Sequence, residues 1–339
     1  MKTIRNKFRL AVVGAGGVGS IHIRNALASD KIELVGVCEL DEVKARSCIG
    51  SHEVPIEKRI EGLMQYQPEG IVVSSSTSSH GSVCKQIIEL KLPFLCEKPI
   101  ASDYEEAKKI QEYAASENVY GAMAFNRRFH ARYQQMRSSI EKGHIGTPET
   151  LHVVSRTANP PSAKFITTSG GLFGEKGSHF YDLIRWIFRT NVKEVFTFGD
   201  ALFDPEFKKI SQPDTAAICM RLDNGILCTF DFSWHSAYGQ DERMEIFGSE
   251  GMLKGIQDTD GAIQHYGKDG YSRAGQFPGW QSMFYQTYID ELHAFVSEVK
   301  YSNVGTMPSL ADGVEAQRVA QAIERSYSEK RQVAVSEID

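Results

Sequence analysis

Between a short β-branched run and a helical pattern stand six residues, Gly14-Ala15-Gly16-Gly17-Val18-Gly19, in the order G-x-G-x-x-G. Glycine-rich turns are common, and it is the strand before this one and the helix after it that give its glycines meaning. The first permits the turn, the second lets backbone approach a pyrophosphate, and the third lets helix pack on strand. The helix N-terminus adds N–H donors and positive partial charge. Glu39 lies twenty residues past Gly19, at the end of the next expected strand, where a carboxylate holds an adenosine ribose. The pattern predicts a dinucleotide site containing Gly14, Gly16, Gly17, Val18, Gly19 and Glu39. A carboxylate repels a 2′-phosphate, and Leu40 and Asp41 follow with no arginine beside them, so NAD is expected over NADP. The alternative is that Glu39 is a solvated loop acid and selectivity is set elsewhere.

The first third of the chain goes on alternating short apolar runs with helical patterns, as a parallel sheet wound by helices requires. Strands are expected over 8–13, 33–38, 71–74, 93–96 and 120–125, with helices over 19–29, 82–91 and 104–118. Beyond Asn126 the pattern changes. A helix (131–142) and a strand (151–156) precede a Pro/Ser/Gly/Thr-rich connection (159–174) and a helix over 175–188. Then come strands with hairpin signals, the clearest being 215–222, Asn224-Gly225 and 226–234. Tight turns between consecutive strands predict an antiparallel sheet, and helical patterns over 283–300 and 312–329 close the chain. The expected class is α/β with an α+β second domain, divided into residues 1–125 and 126–339.

A length of 339 residues suits two domains, and 38 basic against 43 acidic residues give a formal charge of −5. That field attracts neither nucleic acid nor anionic lipid. No apolar stretch approaches the roughly 18 residues of a membrane span. The basic start (Lys2, Arg5, Lys7, Arg9) runs into Leu10-Ala11-Val12-Val13, too short for a signal sequence. A cytoplasmic protein is expected. The six cysteines have no metal-ligand spacing, and no metal is expected. If Asn224-Gly225 is a two-residue turn, Cys219 and Cys228 are diagonal neighbours, about 7–8 Å apart and too far for a disulfide. Buried reduced thiols are the expectation.

Three further features bear on chemistry. Glu97-Lys98-Pro99 ends the apolar run at 93–96. The segment Ser74-Ser75-Ser76-Thr77-Ser78-Ser79-His80 reads as a hydroxyl-rich loop whose donors line a cofactor or, alternatively, as a solvated turn. His22, three residues past the third glycine, reads as a packing or capping residue. Much later, Glu175, His179 and Asp182 fall on one expected helix.

With these pieces placed, the chain resembles the glucose-fructose oxidoreductase/inositol dehydrogenase (Gfo/Idh/MocA) family over nearly its whole length. The resemblance rests on Gly14–Gly19 with His22, the serine-rich loop ending in His80, Glu97-Lys98-Pro99 and Phe125-Asn126-Arg127-Arg128-Phe129. Gly170-Gly171 with His179 and Asp182, Tyr238-Gly239-Gln240-Asp241-Glu242-Arg243 and Phe247-Gly248-Ser249-Glu250-Gly251 extend it. It implies an N-terminal Rossmann domain and a C-terminal domain whose open, mostly antiparallel sheet makes homodimer or homotetramer contacts. Within the family, Ser155 to Pro161 and Tyr238 to Arg243 look most like inositol 2-dehydrogenases. Those enzymes usually carry aspartate where this chain has Thr157, aspartate where it has Glu175, and a small hydroxyl residue where it has Lys176.

The implied chemistry is oxidation of a secondary ring alcohol on a polyol or sugar. Imidazole suits the proton transfer because its ordinary pKa, about 6.5, lies near working pH. His179 is therefore the expected base, with Glu175, four residues earlier, fixing its tautomer. Lys98 is expected to stabilise the developing alkoxide. Ser75, Thr77, His80, Glu97, Lys98 and Asn126 join the expected cofactor contacts, and Arg127, Thr157, Lys176, Asp182 and Tyr238 the substrate contacts. Two other readings stay open: a sugar oxidoreductase that recycles a tightly held cofactor, and an NAD-sensing regulator of the same fold. The isomer of the Lys98-Pro99 bond is left open.

Overall fold

The computed structural model describes residues 7–255, 264–268, 270–273, 275–302 and 305–338; Lys2 and Arg5 of the basic start lie outside them. Two compact units form. The first takes the chain up to Phe129 together with Gln286–Gln317, the second His130–Tyr285 with the chain from Arg318 onward.

In the first unit six strands are all parallel: β1 (Phe8–Val13), β2 (Ile32–Cys38), β3 (Ile56–Glu57), β4 (Gly70–Val73), β5 (Phe94–Glu97) and β6 (Gly121–Ala124). Their order is β3-β2-β1-β4-β5-β6. This is the order of a dinucleotide-binding Rossmann sheet, whose ligand crevice opens where the strand order reverses, between β1 and β4. Strands covered on both faces read as unbroken apolar runs, and β4 and β5 are buried throughout. The helices α1 (Gly17–Ala28), α2 (Glu42–Ile49), α3 (Thr77–Glu89) and α4 (Tyr104–Ser116) alternate with them.

Two expectations fail here. Residues 286–317 were assigned to the second domain, yet they join the first unit, and the division falls at His130 instead of Asn126. Phe295 packs edge-on against Phe8 and stacks on Tyr120, while Leu292 and Val296 fill the same core. An amphipathic pattern tells which face is buried and says nothing of which sheet receives it. The second failure concerns the serine-rich stretch, whose helix begins at Thr77 instead of Ser82. Serine competes with helical bonding by offering its hydroxyl to nearby backbone. Here Ser79 and Ser82 donate to the carbonyls of Ser76 and Ser79 from within the helix, at 2.7 and 3.0 Å.

The second unit contains helix α5 (Ala131–Glu141) and strand β7 (Pro148–Arg156), followed by α6 (Ala163–Ser169) and α7 (Ser178–Phe188). Its other strands are β8 (Val192–Asp200), β9 (Thr215–Leu222), β10 (Leu227–Ser233), β11 (Asp241–Gly248) and β12 (Gly251–Gly255). A separate hairpin, β13 (Gln264–Gly267) with β14 (Gly270–Arg273), and the short β15 (Val333–Ala334) complete the set. Seven strands form one sheet in the order β12-β11-β7-β10-β9-β8-β15. Only β7 and β10 run parallel; the other pairs are antiparallel, so the sheet is mixed but mostly as expected. Helix α6 was read as part of an irregular connection. Ser162 caps it by accepting from the Phe165 amide, and Thr167 and Thr168 bond back to carbonyls three residues earlier.

The β9–β10 register is off by one from the expected pairing. Cys219 faces Thr229 and Met220 faces Cys228, because the loop holds three residues, Asp223 to Gly225, with Gly225 at φ 93°. A type I turn closed by glycine in the left-handed region makes this loop. One residue of slip turns every side chain over. Cys219 and Cys228 therefore sit on opposite faces, one exposed and one buried. No bridge joins them, and the expectation of a buried thiol fails for Cys219. No helix among the described residues is long and apolar enough to cross a membrane.

Candidate functional site

In the first unit the glycine turn follows β1 directly and separates two kinds of glycine. Gly14 has φ 95°, and a Cβ there meets the Ser74 carbonyl oxygen at 2.5 Å; one on Gly19 meets the Gly14 oxygen at 2.2 Å. Both are demanded by the protein's own packing. A Cβ on Gly16, in contrast, finds only Lys44 Nζ at 4.0 Å, and one on Gly17 finds nothing within 4 Å. That side of the turn is open. Gly16 also caps α1 without any side-chain hydrogen bond to its first turn, where Gly17 and Val18 lie. Open ground at an uncapped helix N-terminus fits a pyrophosphate.

Glu39, just past the end of β2, completes this side. Its Oε2 accepts the Ala15 amide N–H at 2.7 Å and its Oε1 that of Asp41 at 3.2 Å. The carboxylate thus braces the turn, a role its position in sequence did not disclose. Lys44 was also missed. It stands in the first turn of α2, capped by Asp41, and only the backbone geometry brings its ammonium near Gly16.

The other expected cofactor contacts divide. Ser75, whose amide adjoins Gly14, and Thr77, which opens α3, are both partly exposed. His80 is 1% exposed, with Nδ1 at 2.8 Å from the Pro99 carbonyl and Nε2 at 3.2 Å from the Ser75 carbonyl. Both ring nitrogens face backbone, so a cofactor-lining role is corrected to an internal one. Asn126 is fully buried. Its amide donates to Thr287 Oγ1 and accepts from Arg127, both at 2.9 Å. It supports Arg127 instead of presenting itself to a cofactor.

The Glu97-Lys98-Pro99 turn ends β5, and its Lys98-Pro99 bond is cis. Lys98 is half-buried at the carboxyl edge of the sheet, the edge on which the glycine turn follows β1. Glu97 is buried and takes His22 Nε2 at 2.7 Å. His22 therefore does more than pack. Glu291 joins these two, with donor atoms of all three within 4.8 Å of one another. The His22–Glu97 contact is a direct hydrogen bond, closer than two ligands about 2.0–2.1 Å from a shared tetrahedral zinc approach each other.

In the second unit His179 lies in the first turn of α7, 6% exposed, with the fully buried Asp182 three residues on. Glu175 belongs to a π-helical turn, Leu172–Lys176, and Gly177 separates it from α7. Four residues therefore do not span one α-helical turn here, and the shared face expected for Glu175 and His179 does not follow. π-Turns of this kind concentrate at functional sites.

Lys176 and Thr157, predicted separately, come together. The buried Lys176 ammonium donates to Thr157 Oγ1 at 2.5 Å and Ser155 Oγ at 3.4 Å, and lies 4.7 Å from the Trp234 ring centroid. Ser155 was not singled out from sequence, and Trp234 is itself buried. Tyr238 is half-exposed; its hydroxyl donates to Asp241 at 2.5 Å and accepts from Arg156 at 3.1 Å. Arg243 pairs with the same Asp241 through two bonds. The Tyr238 hydroxyl thus belongs to a charged network at the sheet, which replaces the free substrate contact expected of it.

The chain matches two family models: "Oxidoreductase family, NAD-binding Rossmann fold" over residues 8–125, and "GFO/IDH/MocA C-terminal domain" over 133–254. It is 30% identical over 338 residues to the myo-inositol 2-dehydrogenase of Thermotoga maritima, covering 97% of this chain and 99% of that one. The scyllo-inositol 2-dehydrogenase (NAD(+)) of Bacillus subtilis is 28% identical over 88% of this chain and 87% of its own length. Among solved structures, a myo-inositol dehydrogenase from Corynebacterium glutamicum superposes with a TM-score of 0.89 at 27% identity, over 97% of this chain and 98% of that one.

Proposed function

The chain belongs to the GFO/IDH/MocA family of NAD-binding oxidoreductases, and from that premise we propose that it oxidises a secondary ring hydroxyl of a cyclic polyol or sugar, inositol-like or pyranose, to the ketone. Bound NAD supplies the hydride acceptor at nicotinamide C4. His179 takes the hydroxyl proton, and Lys98 stabilises charge developing on the same oxygen. Lys176, Thr157, Arg127 and Asp182 recognise the remaining hydroxyls, and Glu39 selects NAD. The observation that carries this reading is Lys98 at the carboxyl edge of a parallel sheet, the edge that also holds the open glycine turn. A cationic amine so placed can stabilise charge that develops beside a bound dinucleotide.

The proposal extends to a cytoplasmic homodimer or homotetramer. Its support is one face of the second sheet, where Phe198 of β8, Leu227 of β10 and the paired Phe247 and Met252 of β11 and β12 are exposed. The test is a panel of inositols and sugars with NAD and NADP, read by nicotinamide absorbance, on the native enzyme and on Lys98→Met and His179→Ala. Both variants are expected to bind NADH normally and to lose about 10²–10⁴ in turnover. Undiminished turnover in both would remove the mechanism.

A further inference from the structure

Lys98 follows the last residue of β5, in a segment without regular structure. Its backbone is nonetheless held on both flanks. On one side the Glu97 carboxylate accepts the Lys98 amide N–H at 3.3 Å through Oε2, while its Oε1 meets His22 of α1. On the other side the Pro99 carbonyl meets His80 Nδ1 of α3, and the same imidazole reaches back to the Ser75 carbonyl through Nε2. Two buried histidines from two helices therefore bracket one lysine. Both helices begin at the carboxyl edge of the sheet, α1 after β1 and α3 after β4, on either side of the point where strand order reverses.

A carbonyl oxygen only accepts, so each His80 bond needs a proton on its own nitrogen, and neutral imidazole carries one. The shorter contact, to Pro99, is the one an Nδ1–H tautomer makes. It ties the lysine turn to the helix that follows Ser74 and Ser75, the residues beside Gly14. We propose that His80 is a positioning residue for Lys98, holding the Lys98-Pro99 turn through the Pro99 carbonyl so that the ammonium stays registered to the cofactor edge. The proposal rests on the role given to Lys98 above.

The experiment compares His80→Leu, His80→Asn and His80→Gln in the full chain, with Lys98→Met as reference. Readouts are kcat, the pH profile of kcat, NADH affinity by fluorescence titration, and Tm. An asparagine amide nitrogen takes the place of Nδ1, and a glutamine nitrogen that of Nε2. Misplacement by about 1 Å costs up to about 10²-fold in rate. His80→Leu is expected to lose about 10- to 100-fold in kcat on that scale, with NADH affinity near native. Its pH profile of kcat should also depart from native. His80→Asn should restore kcat, and His80→Gln should not.

Native kcat and pH profile in His80→Leu, with only Tm lowered, would reduce His80 to packing and overturn the proposal. If His80→Leu does not fold, the amide pair decides: glutamine rescuing as well as asparagine overturns it. Lys98→Met with native turnover would instead remove the functional reading and this proposal with it. An inactive Lys98→Met beside a fully active His80→Leu removes the positioning role alone.

Discussion

Glu39 Oε2 accepts the Ala15 amide N–H at 2.7 Å, which makes the acid at the end of β2 a brace for the glycine turn. If Glu39 also selects the cofactor as proposed, changing it should alter both cofactor choice and the shape of the turn, and the two effects are separable. Glu39→Gln keeps an acceptor for Ala15 and loses the charge. Glu39→Ala with Leu40→Arg loses the brace and places a cation at the exposed position that follows. Hydrogen bonds to charged groups contribute about 1.5–3 kcal/mol, so the double variant should lose about 10- to 100-fold in kcat/KM with NAD. It should gain with NADP, while Glu39→Gln keeps native Tm. An unchanged NAD/NADP ratio in the double variant would show that selectivity is set elsewhere.

The glycines of the turn give a sharper contrast. A Cβ on Gly19 lies 2.2 Å from the Gly14 carbonyl oxygen, and backbone cannot yield there without moving the turn. Gly19→Ala should be destabilised by about 1–3 kcal/mol, as overpacked sites are. Gly16→Ala meets no atom closer than Lys44 Nζ at 4.0 Å, so it should fold with native Tm. Its methyl nevertheless occupies the ground offered to the pyrophosphate, and NADH binding should weaken by at least tenfold, about 1.4 kcal/mol. Thermal melts with NADH titrations separate the two variants. Normal NADH affinity in Gly16→Ala would mean that the open side of the turn receives no phosphate.

Much of this was legible in the sequence where a local rule governs. The strand Phe8–Val13 and the glycine turn follow from periodicity and from the steric needs of one turn, and the parallel direction of the first sheet's strands follows from alternation, though their order does not. Contacts distant in sequence were not legible. Nothing local tells that Glu39 bonds Ala15, that His80 faces Pro99, or that Lys176 meets Thr157. Glycine at the end of a hairpin signal gave the right turn but the wrong loop length, and the slip moved Cys219 to the exposed face. The return of Gln286–Gln317 to the first unit depends on Phe295 meeting Phe8, a choice between two apolar sheets that amphipathicity alone cannot make.

The Lys176–Thr157 pair allows a coupling measurement. A buried ammonium bonded to a hydroxyl is costly to strand, because removing one partner leaves the other's charge or donor unsatisfied. Thr157→Val should raise KM for the polyol, and Lys176→Met should do the same. Combined, they should fall short of the sum by about 0.5–3 kcal/mol, the range found for contacting residues. Strict additivity in KM would show that the two side chains act apart despite the 2.5 Å bond.

Glu298 supplies the pH dependence. Its Oε1 accepts from the amides of Gly305, Thr306 and Met307 and from Thr306 Oγ1, and its Oε2 from the Tyr120 hydroxyl. Burial pushes this carboxyl up, but the bonds from Tyr120, Thr306 and the Met307 amide outweigh it and hold it below the ordinary glutamate value. A depressed folded pKa contributes stability that is present above the unfolded value, about 4.3, and is lost as pH falls through the folded one. Glu298→Gln keeps the shape but loses the charge, so it should be less stable than the native chain by about 1.5–3 kcal/mol at neutral pH. The gap should narrow in acid, since below the folded pKa the native carboxyl is itself neutral. Urea midpoints of both proteins between pH 7 and pH 3 measure it. A gap of constant size across that range would mean that the carboxylate charge contributes nothing, and that packing around Glu298 accounts for the whole effect.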